Sequence, residues 1–382
     1  MDHTFDAIVV GAGYIGCSVT YHLCAAGLKT ALFDLGSMAA GASRANYGNI
    51  QIQDMELSKS VELINMARTR FANLEAELDC KVGLRRLGGL LLIENEAQWR
   101  LMESRLSAVR AAGIASELVP AERLPEVEPL IDPAHLLGGL YHAAEGQVDP
   151  FQLMRVYLVQ ARRRGLTEYY FTEVTGFEVQ SDRLSGIVTS KGRFGAGSVI
   201  LCTGAYTRQL GCTLGRQWDI HHILGQAMVT EPVALVLRNH LASASFFEQE
   251  AGGEAGVVHA SFALSQSPHG HLLLGEAMVE ANHFERQVPA QSLPAVAACV
   301  LRYFPPSIRQ LRIWRGWSAP VAGTSDGCPL LGPVADLQGL FLATAFRSTV
   351  IVTPLVGETV AQLVTQGKCE LNIDSFLPER NQ

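Results

Sequence analysis

The chain opens on a continuous apolar run that is followed by a change of period. Residues 6–10 read Asp-Ala-Ile-Val-Val, the pattern of a strand buried in a parallel sheet. Apolar residues then recur at helical spacing from about Ile15 to Ala26, and Gly27 predicts the end of that helix. A second apolar run, Thr30 to Phe33, follows. The pattern predicts a β–α–β unit at the start of the chain.

The turn between this strand and helix has the spacing Gly-x-Gly-x-x-Gly, at Gly11, Gly13 and Gly16. In a dinucleotide site the first glycine makes the tight turn, the second admits a diphosphate, and the third lets the helix pack on the strand. The helix N-terminus then faces the phosphate charge. Asp34, after the second strand, stands where an acid accepts from ribose hydroxyls. The turn predicts a dinucleotide site without separating NAD from FAD.

Later segments predict further elements. Residues 257–262 and 271–275 have the apolar pattern of strands around a turn at 267–270. Residues 293–303 predict a helix that stops at two prolines, and a last helix is expected from about Pro354.

Composition narrows the class of protein. The chain has 382 residues, 48% of them hydrophobic and 18% charged, which is enough for two or three domains with a buried core. A net charge of −7 without a basic face argues against nucleic acid as a partner. The eight cysteines form no CxxC pair and no cluster with histidine, so neither a metal nor an iron–sulfur site is expected. With a strand starting near Asp6 and no apolar run of about 18 residues, we expect no signal peptide, no membrane span and a cytoplasmic protein.

Four further blocks follow the glycine turn: residues 41–50, 172–178, 199–205 and 325–333. The first reads Gly-Ala-Ser-Arg-Ala-Asn-Tyr-Gly-Asn-Ile and the last Ser-Asp-Gly-Cys-Pro-Leu-Leu-Gly-Pro. In this order they resemble the D-amino-acid-oxidase-like superfamily of FAD-dependent oxidoreductases. The resemblance implies an α/β plus β fold, in which a Rossmann-like FAD-binding domain is interleaved with a substrate domain built on a mostly antiparallel sheet. The FAD-binding domain is expected at 1–85, 150–215 and 320–382, and the substrate domain at 86–149 and 216–319.

The resemblance also implies the cofactor and its contacts. FAD is expected to bind non-covalently, because Ala319 lies near the position where monomeric sarcosine oxidases attach flavin to a cysteine. The residues expected to contact FAD are Gly11, Gly13, Tyr14, Ile15, Gly16, Asp34, Ser43, Asn46, Gly48, Val174, Thr203, Gly204, Arg347, Ser348, Thr349 and Val350.

Residues 45–51, 87–91 and 145–150 are similar to the β subunits of heteromeric dehydrogenases. These include opine oxidases for octopine and nopaline, D-hydroxyproline dehydrogenase and the hydrogen cyanide synthase oxidoreductase subunit. The resemblance implies oxidation of the C–N bond of a secondary amino acid by hydride transfer to flavin N5, followed by hydrolysis of the imine. It also implies partner subunits with other redox centres, FAD or FMN and 2Fe–2S.

Two alternatives stay open. The chain could be a stand-alone oxidase of the sarcosine or glycine oxidase type that uses O₂. It could also be a flavin-binding structural subunit with a degenerate site, because Ser318 stands where many relatives carry the arginine that pairs with the substrate carboxylate. An NAD-dependent dehydrogenase is a more distant alternative.

Five residues are candidates for substrate contact. Arg315 could bind a carboxylate through two donors, although a surface or structural ion pair suits it equally well. Arg347, in the loop that the resemblance places beside the flavin, could contact the substrate, the cofactor or a partner subunit. His259 could orient an amine or take a proton near neutral pH, with a structural hydrogen bond as the alternative. Tyr47 and Gln51 follow the segment that the resemblance places beside the flavin, so they could line the pocket.

Overall fold

The computed structural model describes residues 4–52, 55–234, 236–249, 258–280, 284, 288, 290–305 and 310–380. Val257 and Pro306, which the sequence assigned to a strand and to a helix stop, lie outside these residues. The α-helices of the described part are Tyr14–Ala25 (α1), Leu57–Glu77 (α2), Glu96–Ala111 (α3), Leu124–Val127 (α4), Pro150–Arg162 (α5), Thr207–Thr213 (α6), Phe246–Gln249 (α7), Ser292–Leu301 (α8) and Thr349–Gln366 (α9).

The strands of the described part belong to two large sheets and one small sheet. They are Thr4–Val10 (β1), Thr30–Phe33 (β2), Asn49–Ile50 (β3), Arg85–Arg86 (β4), Gly88–Ile93 (β5), Ser116–Pro120 (β6), Gly138–His142 (β7), Gly146–Gln147 (β8), Thr167–Tyr169 (β9), Val174–Gln180 (β10), Arg183–Thr189 (β11), Gly192–Leu201 (β12), His221–Pro232 (β13), Asn239–Ser243 (β14), His259–Gln266 (β15), His271–Glu280 (β16), Ile313–Gly323 (β17), Leu330–Pro333 (β18) and Leu340–Thr344 (β19).

The first large sheet is built around β1, which lies between β2 and β12 and runs parallel to both. The parallel order continues to β9 beyond β2, and β12 also pairs with β19. Strands β10 and β11 extend the other edge in antiparallel fashion. Because β1 is covered on both faces, its near-continuous apolar sequence is what burial requires. The predicted Rossmann-like unit is confirmed.

Helices α1, α2, α5 and α9 pack together over one face of this sheet. The contact between α1 and α9 depends on Gly357, because a β-carbon there would lie 2.2 Å from the hydroxyl oxygen of Ser18. Helix α9 begins at Thr349, so the start predicted from Pro354 was wrong by five residues. The chain turns at Ser348, which has a φ of 45°. The pattern of side chains in the sequence does not predict that turn.

The second large sheet has the order β17-β13-β16-β15-β14-β5-β7-β6. All its neighbouring pairs are antiparallel except β14 with β5, so the predicted mostly antiparallel sheet is confirmed. Helix α8 covers one face, where Val296 and Val300 join a core with Met228 and Leu274. The other face is available to line a cavity.

The chain passes repeatedly between the two large sheets. Strands of the first sheet fall within residues 4–33, 167–201 and 330–344, and strands of the second within 88–142 and 221–323. Strand β17 crosses the predicted domain boundary at residue 320. The boundaries themselves stay predictions. No helix in the described part of the chain is both long enough and apolar enough to cross a membrane.

The C-terminal segment is fixed by an ion pair between Arg380 and Asp326. The guanidinium donates to both carboxylate oxygens, at 2.8 and 3.0 Å, and Asp326 also accepts from the backbone N–H of Cys328 at 3.1 Å. Hydrogen bonding to Arg380 holds the pKa of Asp326 well below its usual value of 3.8. The aspartate of the Asp-Gly-x-Pro block therefore has a structural role.

We expect Asp326→Asn to lower the free energy of unfolding by about 3 kcal/mol at pH 7, because the Arg380 side chain, only 7% exposed, would lose its counter-charge. A carboxyl whose pKa is depressed by folding stabilises the fold above its unfolded pKa and loses that effect as pH falls. The difference in the free energy of unfolding between Asp326→Asn and the wild type should thus shrink below about pH 4. Thermal melts across pH would measure it. Asp336→Asn, at an exposed ion pair with Arg216, is the control, and an equal loss in both variants would contradict the assignment.

Candidate active site

The glycine turn brings three backbone segments into contact. Gly11 has a φ of 105°, and a β-carbon there would lie 2.4 Å from the carbonyl oxygen of Cys202. A β-carbon on Gly16 would lie 1.7 Å from the carbonyl oxygen of Gly11. Both contacts are with backbone atoms, which cannot move aside. Glycine is therefore required at both positions by the packing of β1, α1 and β12.

Gly13 has a different environment, at the N-terminus of α1. A β-carbon there would lie 2.7 Å from the hydroxyl oxygen of Ser43, which also accepts from the backbone N–H of Tyr14 at 3.2 Å. Gly13 is the N-cap residue of α1 and has no side chain that could cap the helix. The dipole of α1 leaves positive potential at this end. A bare backbone, a hydroxyl and a helix N-terminus together suit a diphosphate.

Asp34 links the end of β2 to the same turn. Its carboxylate accepts from the backbone N–H of Ala12 at 2.7 Å and from that of Gly36, also at 2.7 Å. The structure thus places Asp34 beside the glycine turn.

The other residues expected at the cofactor are held by local bonds. Asn46 accepts from the backbone N–H of Gly48 at 2.7 Å, and Gly48 has a φ of 79°. Thr203 shares a hydrogen bond of 2.7 Å with Thr207, and Gly204, with a φ of 53°, follows the end of β12. Val174 is buried at the start of β10. The structure holds these residues in ordered turns at strand ends.

A cavity of about 690 Å³ lies where the glycine turn, the 42–51 segment, the second sheet and the start of α9 meet. The predicted site residues that line it are Tyr14, Ser43, Asn46, Tyr47, Gln51, His259, Arg347, Ser348, Thr349 and Val350. Those outside the lining are Gly11, Gly13, Ile15, Gly16, Asp34, Gly48, Val174, Thr203, Gly204 and Arg315. The structure thus brings all the substrate candidates except Arg315 to one space.

Arg315 is kept from the cavity by its position along β17. Trp317 and Ala319 line the cavity, and Arg315 lies on the same face one repeat earlier, about 7 Å before Trp317, where it is exposed. Ser318 lies on the opposite face and is buried there, with no hydrogen-bond partner for its hydroxyl among the described residues. An arginine at position 318 would therefore point away from the cavity.

Arg347 belongs to the loop that precedes α9, and its guanidinium packs against Gly327. It is the one lysine or arginine among the described residues that line the cavity. The N-terminus of the 18-residue helix α9 opens on the same space, with Ser348 at a φ of 45° as its cap. The cation and the helix dipole both make this end of the cavity attractive to negative charge.

Tyr47 stands over Gly275 on the sheet side of the cavity. A β-carbon on Gly275 would lie 2.0 Å from the Tyr47 hydroxyl oxygen, so the phenol occupies the space that any other residue would fill. Burial, followed by the negative charge of Glu276, raises the pKa of Tyr47 well above its usual value of 10.0. The phenol therefore remains protonated at neutral pH and can donate a hydrogen bond.

His259 projects from β15 into the same space. Its Nε2 atom is buried and has no hydrogen-bond partner among the described residues. A buried nitrogen without a partner is costly. The ring of His259 is part of the cavity lining.

Gln51 is positioned by a buried pair of hydrogen-bonded side chains, Glu145 and His240. Glu145 accepts from the backbone N–H of Ile52 at 2.8 Å and lies 2.7 Å from Nε2 of His240. Burial opposes ionisation of Glu145, but the hydrogen bond and charge of His240 outweigh it and hold its pKa below the usual 4.5. Asn49, before Gln51, is fixed by Ser265 at 2.9 Å. These contacts hold the 49–52 segment against the second sheet.

Sequence reasoning missed several lining residues, among them Glu276, Asn49, Ser261, Phe246 and Phe247. Asn49 belongs to the 41–50 block, whereas the other four lie outside the blocks that carry the resemblance and reach the cavity from the second sheet or from α7. Among the described residues no three His, Cys, Asp or Glu side chains are grouped to hold a metal ion.

Comparison with known proteins identifies the class. Residues 6–363 match the DAO family, described as FAD dependent oxidoreductase, and the chain belongs to this family. It is therefore an oxidoreductase that uses FAD. The bare glycine turn, the N-terminus of α1 and the carboxylate of Asp34 beside them fit that cofactor.

Particular relatives are distant but cover the whole chain. Glycine oxidase of Geobacillus kaustophilus is 27% identical over 98% of this chain and 97% of its own length. Hydrogen cyanide synthase subunit HcnC of Pseudomonas aeruginosa is 24% identical over 100% of this chain and 97% of its own. The crystal structure of L-proline dehydrogenase from P. horikoshii superposes with a TM-score of 0.87 at 21% identity, over 100% of this chain and 98% of that one, which shows a shared fold.

We expect Gly13→Val to abolish FAD retention, because its side chain would fill the space between α1 and the Ser43 hydroxyl. Gly13→Ala, with a smaller side chain, should lose only part of its bound FAD. The ratio of flavin to protein absorbance after purification measures both. Ala25→Val, at the exposed far end of α1, is the matched control and should keep full occupancy. Full FAD content in a folded Gly13→Val protein would place the diphosphate elsewhere.

Proposed function

We propose that this protein oxidises the C–N bond of a secondary amino acid, such as an opine or a proline-like amino acid. The observation that carries the proposal is the cavity, in which Arg347 and the start of α9 supply positive charge and His259 lines the same space. An α-amino acid presents a carboxylate and an amine that match these two groups. The names of the relatives, glycine oxidase and L-proline dehydrogenase, support an amino-acid substrate.

The cofactor would be held by groups on both sides of the glycine turn. The amides at the N-terminus of α1 and Ser43 would bind the diphosphate, and Asp34 the ribose. The residues 347–350, at the N-terminus of α9, would stabilise negative charge on the ring system. FAD, when bound, supplies a ring that takes two electrons from the substrate.

The chain's own side chains would then orient the substrate. Arg347 binds the carboxylate through two parallel N–H donors. His259 orients the amine, and the protonated phenol of Tyr47 donates to a substrate oxygen. Apolar groups such as Trp317 and Met278 exclude water from the reacting carbon.

We also propose that the chain is the catalytic β subunit of a heteromeric dehydrogenase, with partner subunits that carry FAD or FMN and 2Fe–2S centres. Support comes from HcnC and from the sarcosine oxidase subunit beta of Rhodobacter capsulatus, both named as subunits. The second candidate is a stand-alone oxidase that passes electrons to O₂, and the name of the glycine oxidase relative favours it.

Anaerobic titration of the purified holoprotein tests the reaction. We expect opines or proline-like amino acids to bleach the flavin absorbance, because the amine carbon is oxidised at the expense of FAD. Admission of air then separates the two candidates: slow reoxidation supports a subunit that needs a partner, and rapid formation of peroxide supports the oxidase. A flavin that no amino acid reduces would overturn the proposed function.

We expect Arg347→Met to raise KM for the amino acid about 100-fold, because a charge-assisted bidentate bond to the carboxylate is lost. Arg347→Lys should recover part of the loss. Steady-state kinetics with an artificial acceptor measures both. Arg315→Met is the control, since Arg315 is exposed outside the cavity. An unchanged KM in Arg347→Met would assign the carboxylate to another group.

We further propose that FAD is bound without a covalent link. Ala319, which lines the cavity, has no thiol, and Cys328 is fully buried outside the lining. Precipitation of the protein with acid should therefore release all the flavin into the supernatant. Yellow colour that remains with the precipitate would contradict this.

A further inference from the structure

A row of mostly small residues crosses the second sheet on the face that lines the cavity. Its members lie directly opposite one another on neighbouring strands: Trp317, Ala227, Gly275, Ala263, Ala242 and Leu91. All of them except Gly275 line the cavity. The four middle positions carry a methyl group or no side chain at all. The row therefore forms a trough across six strands, or five strand spacings, which is about 24 Å.

Tyr47 divides this trough at Gly275. The phenol oxygen occupies the space of a β-carbon on Gly275, from which it would be 2.0 Å away. The row residues of β17 and β13 then lie on one side of the phenol, and those of β15, β14 and β5 lie on the other. Three strand spacings separate Gly275 from the end of the row on β5, so the second part of the trough extends about 14 Å from the phenol.

The second part of the trough is bordered by apolar side chains. Strands β5 and β14 and helix α7 contribute five described lining residues, and all five are apolar: Leu91, Leu241, Ala242, Phe246 and Phe247. Ala242 and Phe247 pack against the buried cluster that contains Leu91. The guanidinium of Arg105 lies 4.3 Å from the centroid of the Phe247 ring and helps to hold that ring in place. We call these five residues together with Ala263 the apolar pocket.

We propose that the apolar pocket binds an apolar arm of the substrate, aliphatic or aromatic. The substrate carboxylate lies at Arg347 and the reacting amine near His259, and the arm extends beside the phenol of Tyr47 into the pocket. Burial of each methylene group favours binding there, whereas an amide or a charged group would lose its hydration. The inference rests on the proposed function and narrows its substrates to secondary amino acids with an apolar arm, in contrast to the cationic arms of octopine and nopaline.

A homologous series of substrates measures the pocket. The N-(1-carboxyethyl) derivatives of alanine, 2-aminobutyrate, norvaline and norleucine differ only in the length of one unbranched arm. We expect kcat/KM of the wild-type holoenzyme to rise about fourfold with each added methylene group, because each is removed from water. A kcat/KM that does not rise with the length of the arm would overturn the inference.

A pair of substrates with arms of similar shape separates polarity from size. N-(1-carboxyethyl)leucine has an apolar arm, and N-(1-carboxyethyl)asparagine has an amide in nearly the same volume. We expect kcat/KM to be at least about tenfold higher for the leucine compound, since the amide must give up its hydration. The ratio is measured on one preparation, so the fraction of active protein cancels. Equal values for the two compounds, or a preference for the asparagine compound, would count against the apolar pocket.

Two variants locate the preference. Ala242→Leu fills the pocket, so it should lower the ratio of kcat/KM between the norleucine and alanine compounds about tenfold or more. Ala298→Leu is the same change at an exposed position of α8, which covers the other face of the second sheet, and it should keep the wild-type ratio. The wild-type ratio in a folded, flavin-containing Ala242→Leu protein would overturn the inference. If Ala242→Leu does not fold, the substrate series on the wild type still decides.

Binding without turnover separates this inference from the proposed function. N-acetylnorleucine and N-acetylalanine keep the carboxylate and the arm but have an amide in place of the amine. Calorimetric titration of the holoprotein should give at least about tenfold tighter binding of N-acetylnorleucine. Ala242→Leu should reduce that difference, and Ala298→Leu should keep it. If no amino acid reduces the flavin, the proposed reaction fails, whereas equal affinities of the wild type for these two ligands overturn binding by the apolar pocket independently.

Discussion

The architecture depends on the close contact of backbone segments at the glycine turn. Gly11 abuts the end of β12 and Gly16 abuts Gly11 itself, at distances that no β-carbon permits. Because β1 is the central strand of its sheet, this contact fixes where α1 starts and how it lies on the sheet. Helix α9 packs on α1 through Gly357, so its position depends on the same contact. Two helix N-termini are thereby directed to one region, as an anionic cofactor requires.

The second sheet leaves space for the cavity on one of its faces. Along β13 and β17 the residues that face the cavity include Gly225, Ala227 and Ala319, whereas the opposite face carries the core under α8. Small residues at these positions leave space on one face of the strands, and the same strands contribute to a core on the other face. The larger groups at the wall, Tyr47 and Trp317, are held by Gly275 and by the carbonyl of Ala45.

The sequence predicts those features of the fold and of the site that are determined by residues close together along the chain. The first strand, α1 and the glycine turn follow from one short stretch, and the cofactor class follows from blocks in a fixed order. The residues that line the rest of the cavity do not follow from the sequence, because their positions depend on the register of paired strands. The face of β17 on which Ser318 lies, for example, cannot be read from the sequence without the pairing of that strand. Glu276 went unnoticed because a bulge cannot be read from composition, and Glu145 reaches Ile52 from 93 residues away.

The glycine turn and the second sheet differ in how much substitution they can accept. A substitution at the glycine turn meets backbone atoms and would disturb β1, α1 and α9 together. Residue 276, by contrast, is the extra residue of a bulge, flanked by pairs that continue the ladder on both sides. Its side chain can change in charge while the backbone bonds of β16 stay in place. The fold therefore keeps the cofactor site constant and leaves the charge of the substrate wall to single residues of the second sheet.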